Sequence, residues 1–203
     1  MRKTIRVLLV VGLASLALAA VAAVQLGATR SPDFHGTEYP DAPLAPAFSL
    51  VDHTGRTVSL GEFRGVPVLL FFGFTECPDV CPLTLRKLDR LLRDAGIGPD
   101  EVSVLLVTVD PATDTPDRLA SYVTGIGPSI TGLTGESQQI EAVLGQYGAF
   151  AQPSTNHAGE PVVAHTSLVF GIDREGRLRV LIHADEPDEL VLGDIRELMR
   201  IGG

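Results

Sequence analysis

The stretch Val66-Pro67-Val68-Leu69-Leu70-Phe71-Phe72-Gly73-Phe74-Thr75-Glu76-Cys77-Pro78-Asp79-Val80-Cys81-Pro82 decides how this 203-residue chain is read. Val66 to Phe72 is a continuous apolar run, the pattern of a strand buried on both faces. Gly73 ends the run, and the chain's only two cysteines follow. From about Pro82, Leu85, Leu88, Leu91 and Leu92 fall at helical spacing until Gly96. Two thiols four residues apart thus mark the junction of a strand and a helix. On an ideal helix that spacing gives about 6 Å of rise and about 40° of turn, so the Cα atoms would lie ~6 Å apart. The pair can close as a disulfide, or open and present two thiolates to one soft metal ion.

The pattern on either side is that of an α/β domain. Phe48 to Val51 and Thr57 to Leu60 flank the turn Asp52-His53-Thr54-Gly55, which predicts a β-hairpin. Val102 to Val109 predicts a second buried strand. Asp114-Thr115-Pro116 reads as a cap with proline in the first turn, opening a helix through Val123. Ser137 to Tyr147 predicts a third helix. Val162 to Ile172, broken at His165, reads as a strand that Asp173 to Gly176 turns into another, Leu178 to His183. Asp188 to Ile201 closes the chain as a helix. Strands alternating with helices, followed by a late hairpin and a last helix, predict a mixed central sheet covered on both faces.

Residues 1–30 form a separate object. Arg2, Lys3 and Arg6 precede the apolar run Val7 to Leu26, about long enough for one membrane-spanning helix. The charge asymmetry predicts that the remainder is exported. We expect an uncleaved single-pass anchor, the alternative being a signal peptide cleaved after the small-x-small stretch Ala20-Val21-Ala22, which would release the protein. Residues 31–43, with Pro32, Pro40 and Pro43, read as a tether, and residues 44–203 as the domain. Beyond residue 30 stand 12 basic against 25 acidic residues, a net charge of −13. That balance disfavours nucleic acid and anionic lipid and suits cationic partners or metal ions.

The candidate site rests on three residues. A structural disulfide closing so small a loop would staple almost nothing, which argues that Cys77 and Cys81 serve chemistry. Glu76 and Asp79 flank them, and the nearest base along the chain is Arg86, so two thiolates there call for a cation. Two soft sulfurs suit Cu(I), or Zn(II) if two more ligands exist. His165 lies beside the expected sheet, and its imidazole would complete a three-ligand set suited to copper. His35, His53, His157 and His183 read as solvated, and Asp110 as a loop carboxylate capping the turn before Pro111.

The segment Phe71 to Pro82, followed by Thr84-Leu85, resembles the signature of the Sco/SenC family. Val107-Thr108-Val109-Asp110-Pro111, Asp114-Thr115-Pro116, Gly132-Leu133-Thr134-Gly135 and His165-Thr166 follow in that family's order and spacing. The resemblance runs from about residue 44 to 185. It implies a thioredoxin-like three-layer fold and a copper site, for Cu(I) and possibly also Cu(II), made by Cys77, Cys81 and His165. It further implies a metallochaperone that helps assemble the dinuclear copper centre of cytochrome c oxidase. The partners would be the copper-bearing oxidase subunit or another copper carrier.

The alternative is a thiol-disulfide oxidoreductase that keeps the centre's cysteines reduced, with Cys77 and Cys81 as its redox pair. Three positions depart from the family pattern: Ala164 replaces an acidic residue, Val66 a lysine and Thr113 an arginine. A peroxidase of the same broad fold is disfavoured. Leu70 and Phe74 stand where a peroxiredoxin would carry proline and threonine, and the chain has no tryptophan.

Overall fold

The two strands read as buried lie side by side at the centre of the sheet. In the computed structural model β4 (Val68–Gly73) and β5 (Ser103–Thr108) pair in parallel, with Val68 opposite Ser103 and Gly73 opposite Thr108. The structure describes residues 32–155 and 161–202, with the backbone alone for residues 153–155 and 161–165. The apolar segment Val7 to Leu26 and His157 therefore lie outside the described residues. Among those described, no helix is long and apolar enough to cross a membrane.

The remaining strands are β1 (Thr37–Glu38), β2 (Ser49–Asp52), β3 (Thr57–Ser59), β6 (Ile130–Thr134), β7 (Ala151–Thr155), β8 (Pro161–His165), β9 (Leu168–Ile172) and β10 (Leu178–His183). Of the ten strands among the described residues, eight form one sheet in the order β1-β10-β9-β4-β5-β6-β2-β3, and β7 pairs with β8 in a separate two-stranded ribbon. The sheet is mixed: β4, β5 and β6 are parallel, while β9 runs antiparallel to β4. The expected hairpin is present as β2 and β3, with Leu50 opposite Val58.

Alternation along the central strands sends successive side chains to opposite faces. Leu69, Phe71, Val104 and Leu106 face a core built with α1 (Val80–Asp94), α2 (Pro116–Ile126) and α4 (Asp188–Arg200). Leu70, Phe72, Leu105 and Val107 face a second core with α3 (Ser137–Tyr147). There Phe72 and Phe170 each meet Tyr147 edge-on, with ring centroids 5.6 and 5.5 Å away. Layers of helix, sheet and helix are thus present, with three of the described α-helices on one face and one on the other. In α1, Leu85, Leu88, Leu91 and Leu92 are all buried, as their spacing requires. Each contributes about 1.5–3 kcal/mol by leaving water.

Three elements differ from the sequence reading. Val162 to Ile172 is two strands in two different sheets, because the chain turns at Thr166-Ser167 between β8 and β9. Strand β6, short and interrupted by Gly132, has too little apolar pattern to be read. Gly132 is where α2 comes down on the sheet: an added Cβ would lie 3.2 Å from Leu119 and 3.3 Å from Val123. Residues read as the far end of a tether also take part in the fold. Phe34–Gly203 is one compact unit. The His35 and Gly36 amides donate to the buried Asp194 carboxylate at 2.7 and 3.0 Å, and β1 pairs with the edge of β10. This contact spans 158 residues of sequence and carries no local signal.

Candidate metal centre

Strand direction brings three segments of the chain to one end of the sheet. β4 and β5 both run toward this end, where β4 delivers the cysteine loop and β5 the segment Val109 to Thr115. β9 is antiparallel to β4, with Phe71 opposite Val169, so it starts at the same end. His165 is three residues before β9 and is the last residue of β8, where it pairs with Ala151. The turn that follows is fixed to the chain beyond α3. The Thr166 amide donates to the Phe150 carbonyl, and Thr166 Oγ1 accepts from the Phe150 amide, both at 3.1 Å. The His165 side chain lies outside what is described.

Cys77 precedes α1 and Cys81 is its second residue, so the pair is not an ordinary one-turn spacing on a helix. Cys77 instead serves the helix end. Its Sγ accepts the Cys81 amide proton at 3.4 Å, which satisfies one of the first-turn N–H groups that have no partner within a helix. The Asp79 side chain, at the N-cap, makes no capping bond. Pro82 in the same turn has no amide proton to satisfy. An N–H pointing at a sulfur also suits that sulfur when it is electron-rich and bound to a metal.

Cys81 is fully buried and Cys77 partly so. The hydrogen bond to Cys77, followed by burial, raises the Cys81 pKa far above the usual thiol range. Room for the buried sulfur comes from Gly73, where a Cβ would stand only 2.8 Å from Cys81 Sγ.

The stretch Asp114-Thr115-Pro116 caps α2 as read from the sequence, and its buried carboxylate also holds the cysteine loop. The cap residue of α2 is Thr115, whose Oγ1 accepts the Arg118 amide at 3.3 Å. Asp114 is fully buried. Its Oδ1 accepts from Thr75 Oγ1 at 2.6 Å, and its Oδ2 accepts from the Thr75 amide at 3.0 Å and from Thr108 Oγ1 at 2.6 Å. Thr108 Oγ1 in turn accepts the Asp110 amide at 3.0 Å. Asp110 acts here through its backbone, its carbonyl accepting the Asp114 amide at 2.9 Å.

Arg118 on α2 completes the clamp. Its Nε donates to Thr75 Oγ1 at 2.7 Å and its Nη2 to Glu76 Oε1 at 2.9 Å. Glu76 is therefore paired by a base from another element, nearer in space than Arg86, the first base along the chain. The signal for Asp114, Arg118 and Thr75 lay in polar residues near two strand ends, but nothing local joined them.

His53 is not simply solvated, since its Nδ1 accepts the Gly132 amide at 3.2 Å. Exposed Val80 and Leu83 lie beside the cysteines and line a groove of about 640 Å³ that also takes in Ile126 and Ala184. Neither cysteine lines it.

The residues present fit a soft metal ion in their chemistry: two cysteine sulfurs, one from the loop before α1 and one from its first turn, the former taking an N–H. Among the described residues no three His, Cys, Asp or Glu side chains are grouped to hold a metal, so any third ligand must come from elsewhere. Copper would bring two soft bonds to sulfur, and the protein would set their separation and exposure.

Comparison with known proteins follows the same lines. Residues 36–200 match the family described as SCO1/SenC. The chain is 39% identical over 132 residues to the mitochondrial SCO2 homolog of Bos taurus, covering 64% of this chain and 50% of that protein. It is 33% identical over 138 residues to the protein sco1 of Schizosaccharomyces pombe, covering 66% of this chain and 52% of that one. The chain thus spans about half the length of these relatives.

Among solved structures, Bradyrhizobium japonicum ScoI with copper bound superposes with a TM-score of 0.68 at 32% identity, covering 75% of this chain and 98% of that one. The apo Sco1 protein of Thermus thermophilus gives 0.70 at 34%, covering 83% and 98%. This chain belongs to the SCO1/SenC family and has its thioredoxin-like fold.

Proposed function

We propose that the protein is a copper-binding metallochaperone that assists assembly of the dinuclear copper centre of cytochrome c oxidase. Copper is its cargo, held by the thiolates of Cys77 and Cys81 and the imidazole of His165. The observation that carries this reading is the pair of cysteines at the start of α1 in which Cys77 Sγ takes the Cys81 amide proton. The comparisons support it: relatives with bound copper include Bradyrhizobium ScoI and yeast Sco1, the latter at 28% identity and a TM-score of 0.65. A Stutzerimonas stutzeri relative, 34% identical over 140 residues, is described as a putative copper-binding protein.

Two thiolates and a neutral imidazole form a donor set of matching softness for Cu(I), and the same set accommodates Cu(II). The half-exposed Cys77 is the ligand that an incoming carrier or oxidase subunit reaches first, so cargo exchange starts there. The domain works on the extracytoplasmic side, held to the membrane by the segment within residues 1–30. The organisation is an anchor within residues 1–30 and a copper-binding domain that starts at about Phe34, ahead of the boundary at residue 44 read from the sequence, because β1 pairs with β10.

Anaerobic Cu(I) titration of the reduced protein against a competing chelator tests this. One tightly held equivalent is expected, abolished by Cys77→Ser or Cys81→Ser and lost from the tight range in His165→Ala. Unchanged copper affinity in His165→Ala sinks the three-ligand site.

A second reading, reductase action on the oxidase centre's cysteines, is favoured by the closeness of the two cysteines, the Cys77 sulfur lying 3.4 Å from the Cys81 amide nitrogen. In it the Cys77 thiolate attacks a target disulfide and forms a mixed disulfide. Cys81 then loses its proton and displaces the target's second sulfur, leaving a Cys77–Cys81 disulfide and a reduced target. Disulfide reduction that survives in His165→Ala while copper binding is lost separates the two activities.

A further inference from the structure

One stripe of α1 differs in charge from the chain around it. Beyond residue 30 the net charge is −13, with 12 basic residues in all. Four of those 12, Arg86, Lys87, Arg90 and Arg93, fall within one short stretch of α1. Leu83, Arg86, Arg90 and Arg93 follow one another at helical spacing, and all four are exposed. At 1.5 Å of rise per residue the stripe is about 15 Å long. Its apolar end adjoins the cysteines, since Val80 and Leu83, 43% and 60% exposed, flank Cys81 in the first turn.

The stripe borders a groove of about 640 Å³. Ile126 at the end of α2 and Ala184 after β10 give it apolar walls. Its charged lining is the four bases against Asp89 and Asp185, a net of +2. Some of these bases have partners within the fold. Lys87 Nζ and Arg90 Nη2 share the one carboxylate of Asp188, at 3.2 and 2.9 Å. Arg90 Nη1 lies 4.0 Å from Asp94, and Arg93 Nε donates to Asp89 Oδ2 at 2.8 Å. Arg86 shares in none of these pairs. The Arg90 and Arg93 side chains stay largely open to solvent, and exposed ion pairs contribute little, so an incoming carboxylate can compete for them.

A solvated helix face accounts for the bases but not for Val80 and Leu83. They are two of the four large hydrophobic side chains exposed among the described residues. An apolar foothold beside the half-exposed Cys77, with bases running away from it along a groove, has the character of a docking surface.

We propose that this groove docks an acidic segment of the protein that exchanges cargo with Cys77. Apolar side chains of the segment sit on Val80 and Leu83, and its carboxylates meet Arg86, Arg90 and Arg93. The inference rests on the reading of Cys77 as the point of exchange. The overall charge of the chain suits cationic partners, whereas this face selects an acidic one. Repulsion elsewhere on the surface then disfavours other orientations, and the partner arrives with its own ligands at the cysteines.

The test uses the full reduced chain in discs of zwitterionic lipid, with empty discs as the blank. The probe is a short fluorescein-labelled peptide with leucines at one end followed by a run of glutamates, read by anisotropy at low ionic strength. Saturable binding is expected. Arg86→Glu should weaken it about tenfold, through an attraction lost and a repulsion gained. Leu83→Ser should weaken it too, as should serine in place of the peptide's leucines. Both variants change exposed side chains, so the fold is retained.

No saturable binding, or equal affinity in the parent and both variants, overturns the proposal. Displacement of the peptide by vesicles of anionic lipid assigns the groove to a membrane surface, and self-association abolished by Arg86→Glu assigns it to a second copy of the chain. Either result also overturns it. Copper titration of the parent keeps the two readings apart. Copper held without peptide capture removes the docking groove and leaves the copper site, whereas peptide capture by a parent that holds no copper supports the groove and removes the copper reading.

Discussion

Asp114 and Thr75, 39 residues apart, are joined by two hydrogen bonds. Thr75 Oγ1 donates to Asp114 Oδ1 at 2.6 Å and the Thr75 amide to Oδ2 at 3.0 Å. Thr75 is two residues before Cys77, so this fully buried carboxylate sets where the cysteine loop leaves the sheet. Asp114→Ala strands three donors at once, those two and Thr108 Oγ1. The expected cost is about 3 kcal/mol or more, with a matching fall in the denaturation midpoint. Amide exchange at Thr75 should quicken together with the loss. If urea titrations put the variant within 0.5 kcal/mol of the parent, roughly the scatter of an ordinary surface substitution, the clamp does not exist.

Gly73→Ala tests the other support of the thiols. The added methyl would meet Cys81 Sγ at 2.8 Å and the Phe71 ring at 2.9 Å, on a strand whose neighbours on both sides are fixed. Neither neighbour can retreat, since both are fully buried. Overpacking of this kind costs roughly 1–3 kcal/mol. Copper affinity should fall further than stability does, because the shift falls on a proposed ligand. A variant with weakened stability but unaltered copper affinity would show that Cys81 does not hold the metal.

The strand-loop-helix around the cysteines was legible because each part carries its own local signal: an apolar run, a glycine and a helical spacing of leucines. The hairpin was legible for the same reason, its turn residues lying between two short apolar runs. The clamp was not. Asp114, Thr75, Thr108 and Arg118 are ordinary polar residues near strand ends, and only the parallel pairing of β4 with β5 brings them together. The β7–β8 ribbon escaped because one of its strands carries Gln152, Pro153 and Ser154, with no alternation to read. His165 was chosen from its sequence context, and the backbone places it at the cysteine end of the sheet through the direction of β9.

Asp52 predicts a specific acid dependence. Burial opposes its ionisation, but hydrogen bonds from Thr54 Oγ1, the Arg56 and Thr54 amides and the Arg56 side chain outweigh burial and bring its pKa down to about 2. A carboxylate whose folded pKa lies below its unfolded value stabilises the fold at all pH above the unfolded value. That contribution shrinks as pH falls from about 4 and is gone below about 2. It amounts to about 2 kcal/mol at neutral pH. Unfolding free energies of Asp52→Asn and the parent should therefore differ at pH 7 and converge near pH 2. A difference that persists unchanged at pH 2 would assign the effect to shape and not to charge.

Arg118 and Glu76 are both substantially exposed, so their 2.9 Å contact should contribute less to stability than to the field at the thiols. Exposed ion pairs are worth about 0–1 kcal/mol, and Arg118→Ala should lower unfolding free energy by no more than that plus its bond to Thr75. The charge effect should be plainer. Without Arg118, Glu76 stands unpaired next to Cys77. An anionic disulfide reagent should then react with Cys77 about two- to fivefold more slowly at low ionic strength, through unscreened repulsion. At 0.5 M salt the difference should largely vanish, and neutral iodoacetamide should show little difference at any salt concentration. Equal slowing of both reagents at every ionic strength would mean that Arg118 acts by holding the loop in place, with its charge irrelevant to the thiols.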